Sequence, residues 1–311
     1  IYENQTGDAA CDQYHRYKED VQIMKEMGMK AYRFSLSWAR IMPEGTGTVN
    51  EKGLKYYDNL INELLDNGIE PFVTLYHWDL PYALHLQGGW MNPNSPSWFY
   101  EYAKVVAEHF SDRVKNFFTI NEPQCIVGLG YQTGEHAPGL KVGPSDYFRI
   151  WHNVLKAHGR AVEALREFSK QPVKISMAPC GALYVPETNK PEDIEAARKA
   201  NFSLPENSIG ACSWDVALCC DPVYLGQYPE DILKEFGQFF PKVTDADMKL
   251  ISQPLDFFGQ NIYNAVTVRA GEDGKAVRAA RYDGFPQTAI GWPVTPEVLY
   301  WAPKFMQERY K

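Results

Sequence analysis

The chain has 311 residues and a mass of 35.5 kDa, and its 31 Lys+Arg against 39 Asp+Glu give a net charge of -8. Hydrophobic residues make up 45%, enough for a large core, which excludes a disordered chain. The acidic balance without a basic run argues against DNA or anionic-membrane partners, and no apolar stretch reaches the ~18 residues of a membrane span.

In chain order, a first helix is predicted from Asp12, an N-cap residue type, with Tyr14, Tyr17, Val21 and Met24 on one face and Gly28 at its end. Lys30–Ser37 reads as a strand. Asn50 opens a second helix carrying Leu54, Tyr57, Ile61, Leu64 and Leu65, closed by Gly68, and 69–76 is the next strand. Helices over 97–110 and 145–168 alternate with strands over 115–120 and 173–178. A further strand is predicted over 255–263, and Thr295 with Pro296 at the first helical position starts the last helix. Strands separated by helices pair in parallel, and a parallel sheet is covered on both faces. The fold class is therefore α/β, as one domain over 1–311. A barrel is preferred to a dinucleotide-binding sheet, because Gly128-Leu129-Gly130 lacks the third glycine and the acid that motif requires.

Six cysteines (Cys11, Cys125, Cys180, Cys212, Cys219 and Cys220) lack the C-x-x-C spacing of a zinc or redox site and are sparse for a disulfide framework. They read as free thiols in a reducing, cytoplasmic setting. Ile1-Tyr2-Glu3-Asn4 is not a signal peptide and looks like a chain entered partway. Asn4-Gln5-Thr6 and Asn201-Phe202-Ser203 fit the glycosylation pattern, which arises often by chance.

In parallel barrels the functional side chains stand at the C-terminal ends of strands. Those ends here are polar where an apolar run would otherwise pass into a turn: Arg33 before Ser35-Leu36-Ser37-Trp38, then His77-Trp78-Asp79, Asn121-Glu122-Pro123, and Gln260-Asn261-Ile262-Tyr263. Pro123 removes a ladder donor, so Glu122 projects from its strand end, either as a functional acid or as the partner of a nearby Arg. Most of the eight tryptophans read as core, with Trp78 singled out as a site residue because it adjoins His77. No histidine has zinc-site spacing, and the reading includes neither a metal nor a cofactor.

Ala31-Tyr32-Arg33-Phe34-Ser35-Leu36-Ser37-Trp38, Tyr76-His77-Trp78-Asp79-Leu80-Pro81, Thr119-Ile120-Asn121-Glu122-Pro123 and Asp256-Phe257-Phe258-Gly259-Gln260-Asn261-Ile262-Tyr263 follow one another along the chain. Together they resemble the strand signatures of family-1 glycoside hydrolases, the β-glucosidases. The resemblance implies a (β/α)8 TIM barrel represented here by strands two to six, without strands 1, 7 and 8. It implies a retaining hydrolase acting on a small-molecule β-glucoside. Glu122 matches the general acid/base, His77, Trp78, Asn121 and Tyr263 the substrate contacts, and Arg33 and Tyr263 the side chains that hold the nucleophile. The Thr-Glu-Asn-Gly segment that carries the nucleophile does not occur in the sequence. The favoured expectation is that the chain is the major piece of a complete enzyme. The alternatives are an inert truncated sugar-binding or scaffold protein and a 6-phospho-β-glucosidase. Phospho-enzymes usually place Ile-Asn after Asn-Glu, whereas Pro123-Gln124 follows here. Open sheet edges further predict that the chain self-associates as a homo-oligomer, closes its edges in an unusual way or is only marginally stable.

Overall fold

The computed structural model describes residues 2–204 and 206–311. Helix α1 (Gln13–Glu26) ends at Gly28, whose φ of 75° is the left-handed conformation that a C′ position favours. Strand β1 (Ala31–Ser35) follows. In helix α2 (Glu51–Asp66) the Asn50 side chain accepts from the Lys52 N–H, and Gly68 again closes the turn with φ 72°. Strand β2 (Glu70–Tyr76), helix α3 (Ser95–Phe110), strand β3 (Asn116–Asn121), helix α4 (Pro144–Phe168) and strand β4 (Lys174–Ala178) complete the repeating part. Asp12 precedes α1 as predicted, but its φ is 52° and its carboxylate is directed to the His15 ring instead of the helix N–H groups.

The four strands form one parallel sheet in the order β1-β2-β3-β4, with Arg33 beside Phe72 and Tyr76 beside Ile120. This is an α/β barrel sheet, incomplete in this chain. The core packs between the sheet and α2, α3 and α4. Trp38, Trp90 and Trp151 are buried there, as the sequence reading has them. Trp38 stacks on Tyr102 at 5.1 Å and donates to the Gly45 carbonyl, while Trp90 donates to the Tyr76 hydroxyl. Their N–H groups therefore need no ligand.

Two predictions are corrected and one unforeseen sheet is found. Residues 255–263 do not form a strand: the segment runs beside β4, with Asp256 N–H donating to Ile175 C=O, the Asp256 carboxylate accepting from Ile175 N–H, and Asn261 N–H donating to Pro179 C=O just past the strand. Between these, the Gly259 N–H is taken by the Ser176 hydroxyl, which breaks the ladder. Thr295 does not cap the last helix (α7, Val298–Arg309), because its buried hydroxyl accepts from the Ala265 N–H. Finally, a second sheet that periodicity does not reveal is built from β5 (Tyr184–Pro186), β6 (Val266–Ala270) and β7 (Ala276–Arg278), flanked by α5 (Pro191–Ala200). Helix α6 (Val216–Tyr224) lies between β5 and β6 in sequence.

Gly128 and Gly130 sit in a π-helical segment, 125–133, where added methyls would press on Ser213 and on the Ala137 carbonyl at 3.0 and 2.9 Å. They serve close packing. All six cysteines are free thiols, five of them buried. Asn201 is buried and tied to the Tyr184 and Ala197 backbone, so the second glycosylation pattern is a structural asparagine. No described helix is long and apolar enough to cross a membrane.

Candidate active site

Strand β3 is buried along its whole length. Between Phe118 and Asn121 its register against β4 shifts, so that Asn121 lies opposite Ala178. Such an irregularity re-aims the residues beyond it. Glu122 then takes a left-handed backbone with φ 46°. Its N–H bonds to the Ala178 carbonyl, and its own carbonyl accepts from Cys125 and Ile126 as the next helical turn begins. Left-handed backbone is costly for a residue with a Cβ, roughly 1–3 kcal/mol, and persists only where such bonds fix it. The result is a carboxylate that is 4% exposed and directed into the protein.

Its surroundings are donors. Glu122 Oε1 accepts from Asn261 Nδ2 at 2.6 Å and, at the longer range of 3.4 Å, from the Tyr263 hydroxyl; Oε2 accepts from the Cys125 thiol at 3.1 Å. The second proton of the Asn261 amide goes to Asn121 Oδ1 at 3.0 Å. Arg33, reaching over from β1, donates to Asn121 Oδ1 (2.6 Å), Asn261 Oδ1 (3.1 Å) and Thr74 Oγ1 (3.0 Å), and its guanidinium lies 4.6 Å from the Phe118 ring centre. Every oxygen of the two amides is thereby fixed, which also fixes which end of each amide is nitrogen. Asn121 Nδ2 is left facing His77 Nε2 at 3.1 Å, so that nitrogen accepts and the proton resides on Nδ1.

Charge follows the same arrangement. Partial burial, with the nearby Arg33 charge, lowers the His77 pKa, so this imidazole is neutral at pH 7. Burial also lowers that of Arg33, and the neighbouring Glu122 charge opposes it. The Tyr263 phenol is pushed up to about 12, first by partial desolvation and then by Glu122, and remains a donor at all ordinary pH values. The Cys180 thiol is pushed up by its contact with Cys125 and by burial.

Arg33, His77, Asn121, Glu122 and Tyr263 are thus brought together by four segments of the chain. Trp78 is placed differently. Its backbone is also left-handed (φ 78°), its indole N–H is taken by the Asn121 carbonyl at 3.0 Å, and its ring lines an adjacent cavity of 380 Å³ with Tyr82, His85, Tyr131 and His136. Asn261, Thr74, Cys125 and Cys180 belong to the cluster but were not selected from sequence. Asn261 was within reach, since it stands two residues before Tyr263, the spacing that puts side chains on one face of extended backbone.

An incomplete α/β barrel whose strand ends surround one buried carboxylate with amides, an arginine and a histidine carries its polar side chains where barrel enzymes carry their functional groups. The model for "Glycosyl hydrolase family 1" matches residues 1–311, and the chain belongs to that family. It is 44% identical over 307 residues to Beta-glucosidase A of Thermotoga maritima, covering 98% of this chain and 66% of that protein. It is 42% identical over 278 residues to Beta-glucosidase 40 of Arabidopsis thaliana, covering 85% of this chain and 52% of the relative. Among solved structures, the Thermotoga maritima beta-glucosidase in complex with glucoimidazole superimposes with a TM-score of 0.85 at 42% identity, covering 100% of this chain and 67% of that one. The chain therefore spans about two thirds of the length of the Thermotoga relative.

Proposed function

We propose that the protein hydrolyses terminal β-glucosides by a retaining mechanism, with Glu122 as its general acid/base and no cofactor. The observation that carries this is the buried Glu122 carboxylate at the β3 end, held by Asn261 and Tyr263 beside the Arg33–Asn121–His77 chain. Glu122 protonates the departing glycosidic oxygen, and its carboxylate then takes a proton from the water that releases the sugar. Asn121 and His77 hold sugar hydroxyls, Trp78 meets the substrate from the adjoining cavity that its ring lines, and Arg33 with Tyr263 holds the nucleophilic carboxylate. Retaining hydrolysis needs two carboxylates about 5–5.5 Å apart. This chain contributes the acid/base half, because the Thr-Glu-Asn-Gly segment is not among its 311 residues. Pro123-Gln124 favours an unphosphorylated glucoside. Five buried free thiols support a reducing, cytoplasmic compartment. The reading of residues 1–311 as one domain is supported by α6, whose Leu218 and Cys219 pack into the main core while its Val216 and Cys220 pack with residues of β5 and α7.

A specific observation favours a second reading, an inert sugar-binding protein: the carboxylate whose charge acts on Arg33, His77 and Tyr263 is Glu122 itself. Co-expression with the nucleophile-bearing segment of the Thermotoga relative separates the two. On the enzyme reading, 4-nitrophenyl β-glucoside is hydrolysed by the reassembled protein, and Glu122→Gln lowers the rate by roughly 10²–10⁴. Glucose binding by calorimetry without any such turnover selects the inert protein. A reassembled Glu122→Gln variant as fast as its parent removes the acid/base assignment.

A further inference from the structure

Cys125 and Cys180, distant in sequence, meet at Glu122. Among the described residues these three are grouped so that one donor atom from each, the two Sγ and a carboxylate oxygen, lies within 4.8 Å of the others. The Cys125 Sγ to Glu122 Oε2 separation is 3.1 Å. All three residues are buried, at 4 to 6% exposure, and Cys125 also lines the 380 Å³ cavity bordered by Trp78 and His136. We propose that Glu122, Cys125 and Cys180 form a site for a thiophilic divalent cation such as Zn²⁺, whose occupation blocks the acid/base carboxylate.

The dimensions fit. Tetrahedral Zn²⁺ with bonds of about 2.3 Å to sulfur and about 2.0 Å to oxygen separates its ligand atoms by roughly 3.5–3.8 Å, within the spread of this trio. Two thiolates and one carboxylate are a soft-leaning set that selects Zn²⁺ over Mg²⁺ or Ca²⁺. The exchange balances: each thiol releases its proton to solvent, the metal takes both sulfurs and Glu122 Oε2, and water completes the shell. Cation binding does not depend on the hydrolase reading. The blocking does, since a metal-held Oε2 can neither deliver nor accept the proton of the glycosidic bond.

Calorimetric titration of the reduced, metal-free protein with Zn²⁺, paired with Co²⁺ as a spectroscopic probe, tests this. One cation per chain is expected, with a thiolate-to-cobalt charge-transfer band. Losing a direct ligand should cost at least the 10–100-fold seen when groups supporting a ligand are removed, so Cys125→Ser and Cys180→Ser should each weaken binding by that much. Glu122→Gln should weaken it less, and Cys11→Ser, which removes the exposed thiol, should leave it unchanged. Circular dichroism of each serine variant reports whether it is folded. Stoichiometric binding that survives the folded Cys125→Ser/Cys180→Ser double variant, or a cobalt complex without the thiolate band, overturns the site. So does binding that is lost with Cys11→Ser.

Discussion

The Asn261 amide makes three bonds within the site: it donates to Glu122 and Asn121 and accepts from Arg33. Two of these involve charged partners, each worth about 1.5–3 kcal/mol. Asn261→Ala should therefore lower stability by about 2–4 kcal/mol, read as a shift in the urea midpoint at unchanged slope, and loosen the carboxylate it holds. That Glu122 stands at the end of its strand was legible, because Pro123 removes the next ladder donor, whereas periodicity left open whether it serves a ligand or pairs with an Arg. Cys180 was not, since its place beside Glu122 depends on where the chain turns after β4, and no local periodicity encodes that.

Two other buried acids set a pH dependence. Burial raises Asp215 to about 7, although one of its oxygens caps α6 through the Ala217 and Leu218 N–H groups, and burial raises Asp79 to about 6. The unfolded chain releases these protons near pH 4, whereas the fold retains them to higher pH. Stability should therefore fall as pH rises from about 4 through 7 and level off above. Asp215→Asn keeps the capping oxygen and removes the titration. It should be the more stable protein at pH 8 by a few kcal/mol, while at pH 4 the two should converge in thermal melts.

At the scale of elements, helices α1 to α4 were readable because each shows one apolar stripe, and the ends of α1 and α2 carry glycines that the geometry uses. The 255–263 segment was misread for a physical reason: its composition suits a strand, but Gly259 is pressed against β4, where an added methyl would meet the Met177 carbonyl and the Phe118 ring at 2.6 Å. Gly259→Ala should push this segment outward. A cost of about 1–3 kcal/mol is expected for such overpacking, together with weaker sugar binding, because Asn261 and Tyr263 ride on the same segment. A variant as stable and as sugar-competent as its parent would show that the segment does not need this close approach. The small β5–β7 sheet escaped prediction because β5 and β7 have only three residues each and β6 lacks the buried apolar run that marks β2 and β3.

For the whole molecule, the outer edge of β1 has no strand partner among the described residues. Tyr282, Ile290, Leu299 and Tyr300 are each more than 60% exposed. Unpaired edges and exposed large apolar side chains favour association between copies. Sedimentation should therefore reveal species heavier than 35.5 kDa that dissociate on dilution, and a strictly monomeric, cooperatively melting protein would contradict this. The account as a whole rests on the strand ends forming a saccharide site around Glu122. Calorimetric binding of deoxynojirimycin, a ligand of the Thermotoga relative's structure, addresses that without requiring turnover. The account predicts one site per chain, with affinity at least tenfold lower in Asn121→Ala and in His77→Ala, since a site built to pair with hydroxyls loses heavily when a partner is removed. Binding of equal strength in parent and both variants, or none in the folded parent, would contradict it.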